Sequence, residues 1–137
     1  MHQVFFLAVF TNLLSGLALL SVSLSVSQPF FRLLSEILSL WKAKLLVGVL
    51  TLLTGLLTLF VPVDRFLILG DLLPAISGMM LGTALLSDFF RQNTSLPDEK
   101  DLLPRPEWTS GGYRVTLGTL GILAAALHFF LPERILL

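Results

Sequence analysis

The sequence predicts an all-α integral membrane protein: a four-transmembrane-helix bundle built from two tandem two-helix repeats, with a short interfacial helix between spans one and two. Three observations carry this. The chain of 137 residues is 55% hydrophobic and only 13% charged, with mean hydropathy +0.88. Soluble domains carry about 25% charge, and a water-soluble chain this small could not bury so much apolar surface. Charge is also segregated, since residues 3–31, 45–63 and 115–132 hold none. Finally, the chain repeats itself. KLLVGVLTLLTGLLTLFVPVDR, from Lys44 to Arg65, is echoed by RVTLGTLGILAAALHFFLPER, from Arg114 to Arg134.

Span one lies within residues 3–31, ample for the roughly 20 apolar residues that cross a hydrocarbon core. Ser25-Val26-Ser27 has the small-residue character of a signal-peptide cleavage site, but no Lys or Arg precedes the apolar run. That flank argues for a retained span. From Pro29 to Trp41 the pattern changes. Phe30, Leu33, Leu34, Ile37, Leu38 and Trp41 recur at helical spacing, with Arg32, Ser35, Glu36, Ser39 and Lys42 mostly opposite. This predicts a helix lying on the membrane surface; the alternative is an N-terminal extension of span two.

Spans two and four are the echoed segments. Each opens on a cation (Lys44, Arg114), carries Gly four residues later (Gly48, Gly118) and repeats Leu at 50, 53 and 57 and at 120, 123 and 127. Each ends in Phe-x-Pro followed by an acid-Arg pair, Asp64-Arg65 or Glu133-Arg134. Span three is less clean, because only 16 residues separate Asp71 from Asp88. Extending it back to Phe66 lengthens it but places Asp71 inside the membrane. The segment after span three, with Pro97, Pro104 and Pro106, reads as an irregular loop.

One membrane domain, 1–137, therefore divides into repeat one, 1–69, and repeat two, 70–137. Phe30-Phe31-Arg32 recurs as Phe89-Phe90-Arg91. Spans one and three match weakly, through Ser15-Gly16 and Ser77-Gly78. Two helices per repeat give both halves the same orientation, so the relating axis should run along the membrane normal. Loops one and three hold Arg32, Lys42, Lys44, Arg91, Lys100, Arg105 and Arg114, against Arg65 and Arg134 on the other side. The positive-inside rule puts these two loops in the cytoplasm and both termini outside, in a cell (inner) membrane.

Each span carries a seam of small or weakly polar residues at steps of three and four. They are Ala8, Thr11, Ser15, Ala18, Ser21 and Ser25; Gly48, Thr51, Gly55 and Thr58; Ala75, Gly78 and Gly82; and Gly118, Gly121, Ala125 and His128. Small side chains let helix backbones approach where lipid supplies no hydrophobic drive to associate. The seams predict packing within the bundle; they would also suit a partner subunit.

Groups able to carry chemistry are few. Asp71, in Gly70-Asp71-Leu72-Leu73-Pro74, suits a helix N-cap with Pro in the first turn; deeper in the membrane it would signal proton or cation handling. Asn12 is the one amide well inside a span, suited to interhelical hydrogen bonding, and with Asp71 forms the candidate transport path. His128 is the one histidine in a span other than the terminal His2, with no further ligand nearby in sequence. Lys44 and Arg114 are expected to snorkel to the interface. There is no phosphate-binding loop, HExxH, GxSxG or carboxylate cluster, and no cysteine for disulfides, thiol chemistry or metal ligation. The neutral net charge offers no nucleic-acid footprint. In size the chain resembles the small multidrug resistance exporters, but span one lacks their defining membrane glutamate.

The expectation is thus a non-catalytic multi-pass membrane protein, a small subunit, scaffold or assembly factor without cofactor or metal. Its partners would be the lipid bilayer and a membrane-protein partner or a homo-oligomer. The alternative is a small oligomeric transporter or channel.

Overall fold

In the computed structural model, residues 2–21, 29–60, 72–93 and 111–130 are described. They form five helices: α1 His2–Ser21, α2 Pro29–Ser39, α3 Trp41–Phe60, α4 Leu72–Asn93 and α5 Gly111–Phe130. Four of them, all but α2, are long and apolar enough to cross a membrane. The short helix is a separate element rather than an extension of α3. The chain bends at Leu40, whose amide donates to the Ile37 carbonyl at 3.2 Å while Lys44 N donates to Leu40 O at 3.0 Å. Asp71, the acid-Arg pairs after α3 and α5, and the proline-rich loop lie outside the described residues.

The helices stay regular despite many hydroxyls because each threonine hydroxyl of the described residues donates to a carbonyl of its own helix. Thr11, Thr51 and Thr54 donate to the carbonyls of Leu7, Val47 and Leu50 at 2.7–2.8 Å, four residues back. Thr58 reaches Gly55 O at 2.8 Å. Where no water is at hand, this back-bonding removes the cost of a lone donor.

The long helices form a four-cornered bundle in which α1 and α4 are central. The closest-packed pairs are α3 with α4 and α1 with α5, whereas α3 and α5 do not pack on each other. Glycines set these two closest interfaces. No described glycine adopts positive φ, so their role is close approach. A β-carbon at Gly82 would lie 2.8 Å from Leu52 N and 2.9 Å from Gly48 O; one at Gly16 would lie 2.7 Å from Gly118 O and 3.2 Å from Ile122 N. In the reverse direction, Gly48 faces Gly82 O and Leu86, while Gly118 faces Gly16 O and Leu20. The α3–α4 and α1–α5 contacts thus correspond residue for residue: Gly82 with Gly16, Leu86 with Leu20, Gly48 with Gly118 and Leu52 with Ile122. The environment of Gly16 matches that of Gly82, not that of Gly78 suggested by the Ser-Gly dipeptides.

The bundle is inside-out relative to a water-soluble protein. Thr11, Asn12, Ser15, Thr51, Thr54, Thr58 and His128 are buried, whereas Phe6, Phe10, Leu46, Leu53, Phe60, Leu120 and Phe130 are exposed. A compact apolar cluster of Ala18, Leu19, Leu38, Val47, Leu81, Ala84 and Leu85 ties α2 to the bundle through Leu38.

Candidate functional site

Two polar constellations lie inside the bundle. The first is central. Asn12 on α1 is 1% exposed and donates from Nδ2 to the Pro74 carbonyl of α4 at 3.0 Å. Its Oδ1 has no hydrogen-bond partner and sits 3.2 Å from where a β-carbon of Gly78 would be. Next to it, Ser15 Oγ of α1 and Thr51 Oγ1 of α3 share a hydrogen bond, both residues 0% exposed. These groups cross-link α1 to α3 and α4, and none reaches an open surface. At the α4–α5 interface the counterparts are apolar: Leu81 lies over Gly121.

The second constellation lies at the end where α1 and α4 finish and α3 and α5 begin. Arg114, on the first turn of α5, donates from Nη2 to Asp88 Oδ2 on α4. Their side chains are only 17% and 9% exposed, and Arg114 Nε is buried with no hydrogen-bond partner. Lys44, on the first turn of α3, is 4% exposed. It lies within electrostatic reach of Asp88, as does Arg91. Among the described residues, Arg114, Lys44 and Arg91 thus lie around the Asp88 carboxylate. A removable partner in such a group would leave uncompensated charge out of water, the costly case for buried ions. Aromatic rings brace the same end: Trp41 stacks on Phe89 with centroids 5.8 Å apart, and Lys42 Nζ lies 5.3 Å from the Trp41 ring.

The expectation that Lys44 and Arg114 snorkel outward is therefore corrected. Both turn inward, where Asp88 on α4 supplies a counter-charge. Asp88 was read from sequence only as the limit of span three. In the structure α4 continues through it to Asn93. A signal existed: Lys44, Asp88 and Arg114 are the innermost charges of their spans, and alternating topology brings them to one end.

Of the other candidates, Gly48, Gly55, Gly78, Gly82, Gly118 and Gly121 all face a neighbouring helix. His128 is buried at 3%, its ring 4.5 Å from that of Phe5. Asp71 lies outside the described residues, so it is not brought together with Asn12 here. Among the described residues no three His, Cys, Asp or Glu side chains converge as metal ligands.

Residues 1–128 match a protein-family model whose description assigns no function. The chain belongs to that family. The matched stretch runs from the start of α1 to two residues before the end of α5, so it takes in both polar constellations. No curated protein and no solved structure matches the chain.

Proposed function

We propose that the chain is a non-catalytic multi-pass protein of a cell (inner) membrane, acting as a small subunit, scaffold or assembly factor of a membrane complex. The observation that carries this is how the polar groups are used. Asn12, Ser15 and Thr51 are consumed in helix-to-helix bonds, and the glycine seams are filled by the chain's own helices. Little is left inside one copy to bind a substrate, whereas the outside is a nearly continuous apolar surface. In lipid such a surface is solvated, and helix association depends on close packing and hydrogen bonds, which is how this bundle is built.

Within this reading the chain is a tandem duplication, 1–69 and 70–137, with the halves related by a two-fold axis along the membrane normal. The matched contacts of Gly16 with Gly82 and of Gly48 with Gly118 support it. So does the meeting of Asn12 and Gly78, counterparts that would touch at the axis. Both termini face outward and loops one and three the cytoplasm, on the seven-to-two cation asymmetry. Under that orientation α2 rests on the cytoplasmic surface, with exposed Leu33, Ile37 and Leu40 toward the acyl chains.

A second reading, a small oligomeric transporter, is favoured by one observation. An acid held among cations inside a membrane helix bundle is the kind of group that marks ion or substrate paths. Purification of the full chain in mild detergent separates the two readings. A membrane protein that co-purifies in fixed stoichiometry supports the subunit reading. A lone homo-oligomer that passes ions or solutes in liposomes, and loses that flux with Asp88→Asn, overturns it.

A further inference from the structure

The two halves fill their helix pairs differently. Thr11 on α1 and Thr54 on α3 are buried, and Ser15 of α1 is hydrogen-bonded to Thr51 of α3. On the offsets that match Gly16 with Gly82 and Gly48 with Gly118, the counterparts on α4 and α5 are Ser77, Ala124, Leu81 and Gly121. Ser77 and Ala124 are each smaller than the threonine they match, and Ala124 has lost its hydroxyl. Both line a cavity of about 310 Å³ between α4 and α5, with almost purely apolar walls. Met80, Leu120 and Leu123, each about half-exposed, stand on its open side.

The helices cannot close this groove by moving together. Leu81 rests on Gly121, where an added β-carbon would overlap it, and the backbone contact of Gly118 with Gly16 holds α5 against α1. Apolar walls do not retain water, and empty space forfeits dispersion contacts along the whole lining. The shape of the groove decides its occupant. Its lining on α5 runs from Leu117 to Leu127, a length of about 15 Å. Spread over that length, the volume leaves a section on the order of 20 Å². Saturated carbons touch at about 4 Å, so an extended hydrocarbon chain has a section on the order of 15–20 Å². A helix with its side chains is about 10–12 Å across and is too wide to enter.

We propose that the α4–α5 groove holds one acyl chain of a bilayer phospholipid, as a site that repeat one does not share. The chain lies over Ser77 and Ala124, flanked by Met80 on α4 and by Leu120 and Leu123 on α5. This rests on the integral-membrane reading above, which places the open side of the groove against the acyl region of the bilayer. Lipid at an ordinary helix surface touches protein on one side only, whereas a chain in the groove is packed on two walls and a floor. That added contact is what distinguishes a held chain from the lipid around the rest of the bundle.

The test uses the full-length chain in phosphatidylcholine vesicles that contain a phosphatidylcholine with a diazirine halfway along one acyl chain. Adducts are mapped by mass spectrometry after illumination. Repeat one supplies the internal control, because Leu14 and Leu50 are the counterparts of Met80 and Leu120. Labelling at Met80 and Leu120 should exceed that at Leu14 and Leu50 by about ten-fold, a preference that takes only about 1.4 kcal/mol. Leu123→Trp, on the mouth of the groove, should remove the excess, and the matched variant Leu53→Trp on α3 should leave it. Equal labelling of the two faces in the wild type overturns the proposal, and that comparison stands even if Leu123→Trp does not fold. An excess that survives in a folded Leu123→Trp, or is lost equally in Leu53→Trp, also overturns it. A photoreactive residue placed at Leu123 in native membranes then reads the natural occupant: an adduct of phospholipid mass supports the proposal, and one of isoprenoid or protein mass overturns it. Alkaline carbonate extraction keeps the two levels apart. Release of the chain from membranes would defeat the membrane reading itself, whereas retention with equal labelling would defeat the acyl-chain site alone.

Discussion

Gly82→Ala adds one methyl group where the backbones of α3 and α4 approach closely and should destabilise the bundle. The new β-carbon would sit 2.8 Å from Leu52 N, 2.9 Å from Gly48 O and 2.9 Å from Leu52 Cβ. Two of these are backbone atoms and the third is fixed to the backbone, so no flexible side-chain tip can yield. Reaching ordinary contact requires α3 and α4 to part by roughly 0.5 Å, and a gap of that size forfeits about a quarter of each dispersion well along the interface. Overpacking of this kind costs about 1–3 kcal/mol. The better helix propensity of Ala returns up to about 1 kcal/mol. A net loss of about 1–2 kcal/mol should lower the melting temperature in detergent by roughly 3–8 °C. Gly16→Ala should cost a similar amount, because its β-carbon meets the corresponding atoms of α5. Gly112→Ala, with nothing within 4 Å, should cost nothing. If Gly82→Ala melts with the wild type, or Gly16→Ala and Gly82→Ala differ widely, the close-approach argument is wrong.

Asp88→Asn removes the carboxylate that pairs with Arg114 and lies within electrostatic reach of Lys44, and should cost about 1–3 kcal/mol. That is below the figure for a fully buried pair because Arg114 retains some solvent contact. Adding Lys44→Met should recover part of the loss, and a detergent melt in which the double variant is worse than the single one would refute the inward placement of Lys44 beside Asp88. Asn12→Ala should change stability by less than about 1 kcal/mol, since it deletes one hydrogen bond and one unsatisfied buried oxygen together. A larger drop in the same melt would mean that Oδ1 has a partner such as a buried water. Cysteine placed at Thr94 should react with an impermeant thiol reagent only from the cytoplasmic side and cysteine at Leu137 only from outside; the opposite pattern in intact cells would reverse the topology.

The helices were legible in the sequence because apolar runs bounded by charge and proline constrain length and placement directly. The break at Leu40 was also foreseeable, since the periodicity from Pro29 to Trp41 is amphipathic and that of the following span is not. The pairing of helices was harder to read. The matching residues of α1 and α4 differ by 66 positions, as Gly16 and Gly82 do, and those of α3 and α5 by 70, as Gly48 and Gly118 do. The unequal offsets hide the α1–α4 correspondence from a search at one spacing. At Ser15 and Thr51, paired by a hydrogen bond, the counterparts Leu81 and Gly121 achieve contact by filling space instead. The charged end was missed for a different reason. A hydropathy reading treats Asp88 as a boundary, and its pairing with Arg114 depends on how the helix ends meet in three dimensions.

The account depends most on the two halves being packed equivalently, and paired cysteines test that directly. The chain has no native cysteine, so oxidation in native membranes reports only the introduced pairs. Ser15→Cys with Thr51→Cys joins α1 to α3; Leu81→Cys with Gly121→Cys joins α4 to α5 at the corresponding place. Both pairs should form intramolecular disulfides, whereas Thr51→Cys with Gly121→Cys, on the unpaired helices α3 and α5, should not. A crosslink in that control pair, or failure of the Leu81–Gly121 pair while Ser15–Thr51 closes, would contradict a bundle of two equivalent units.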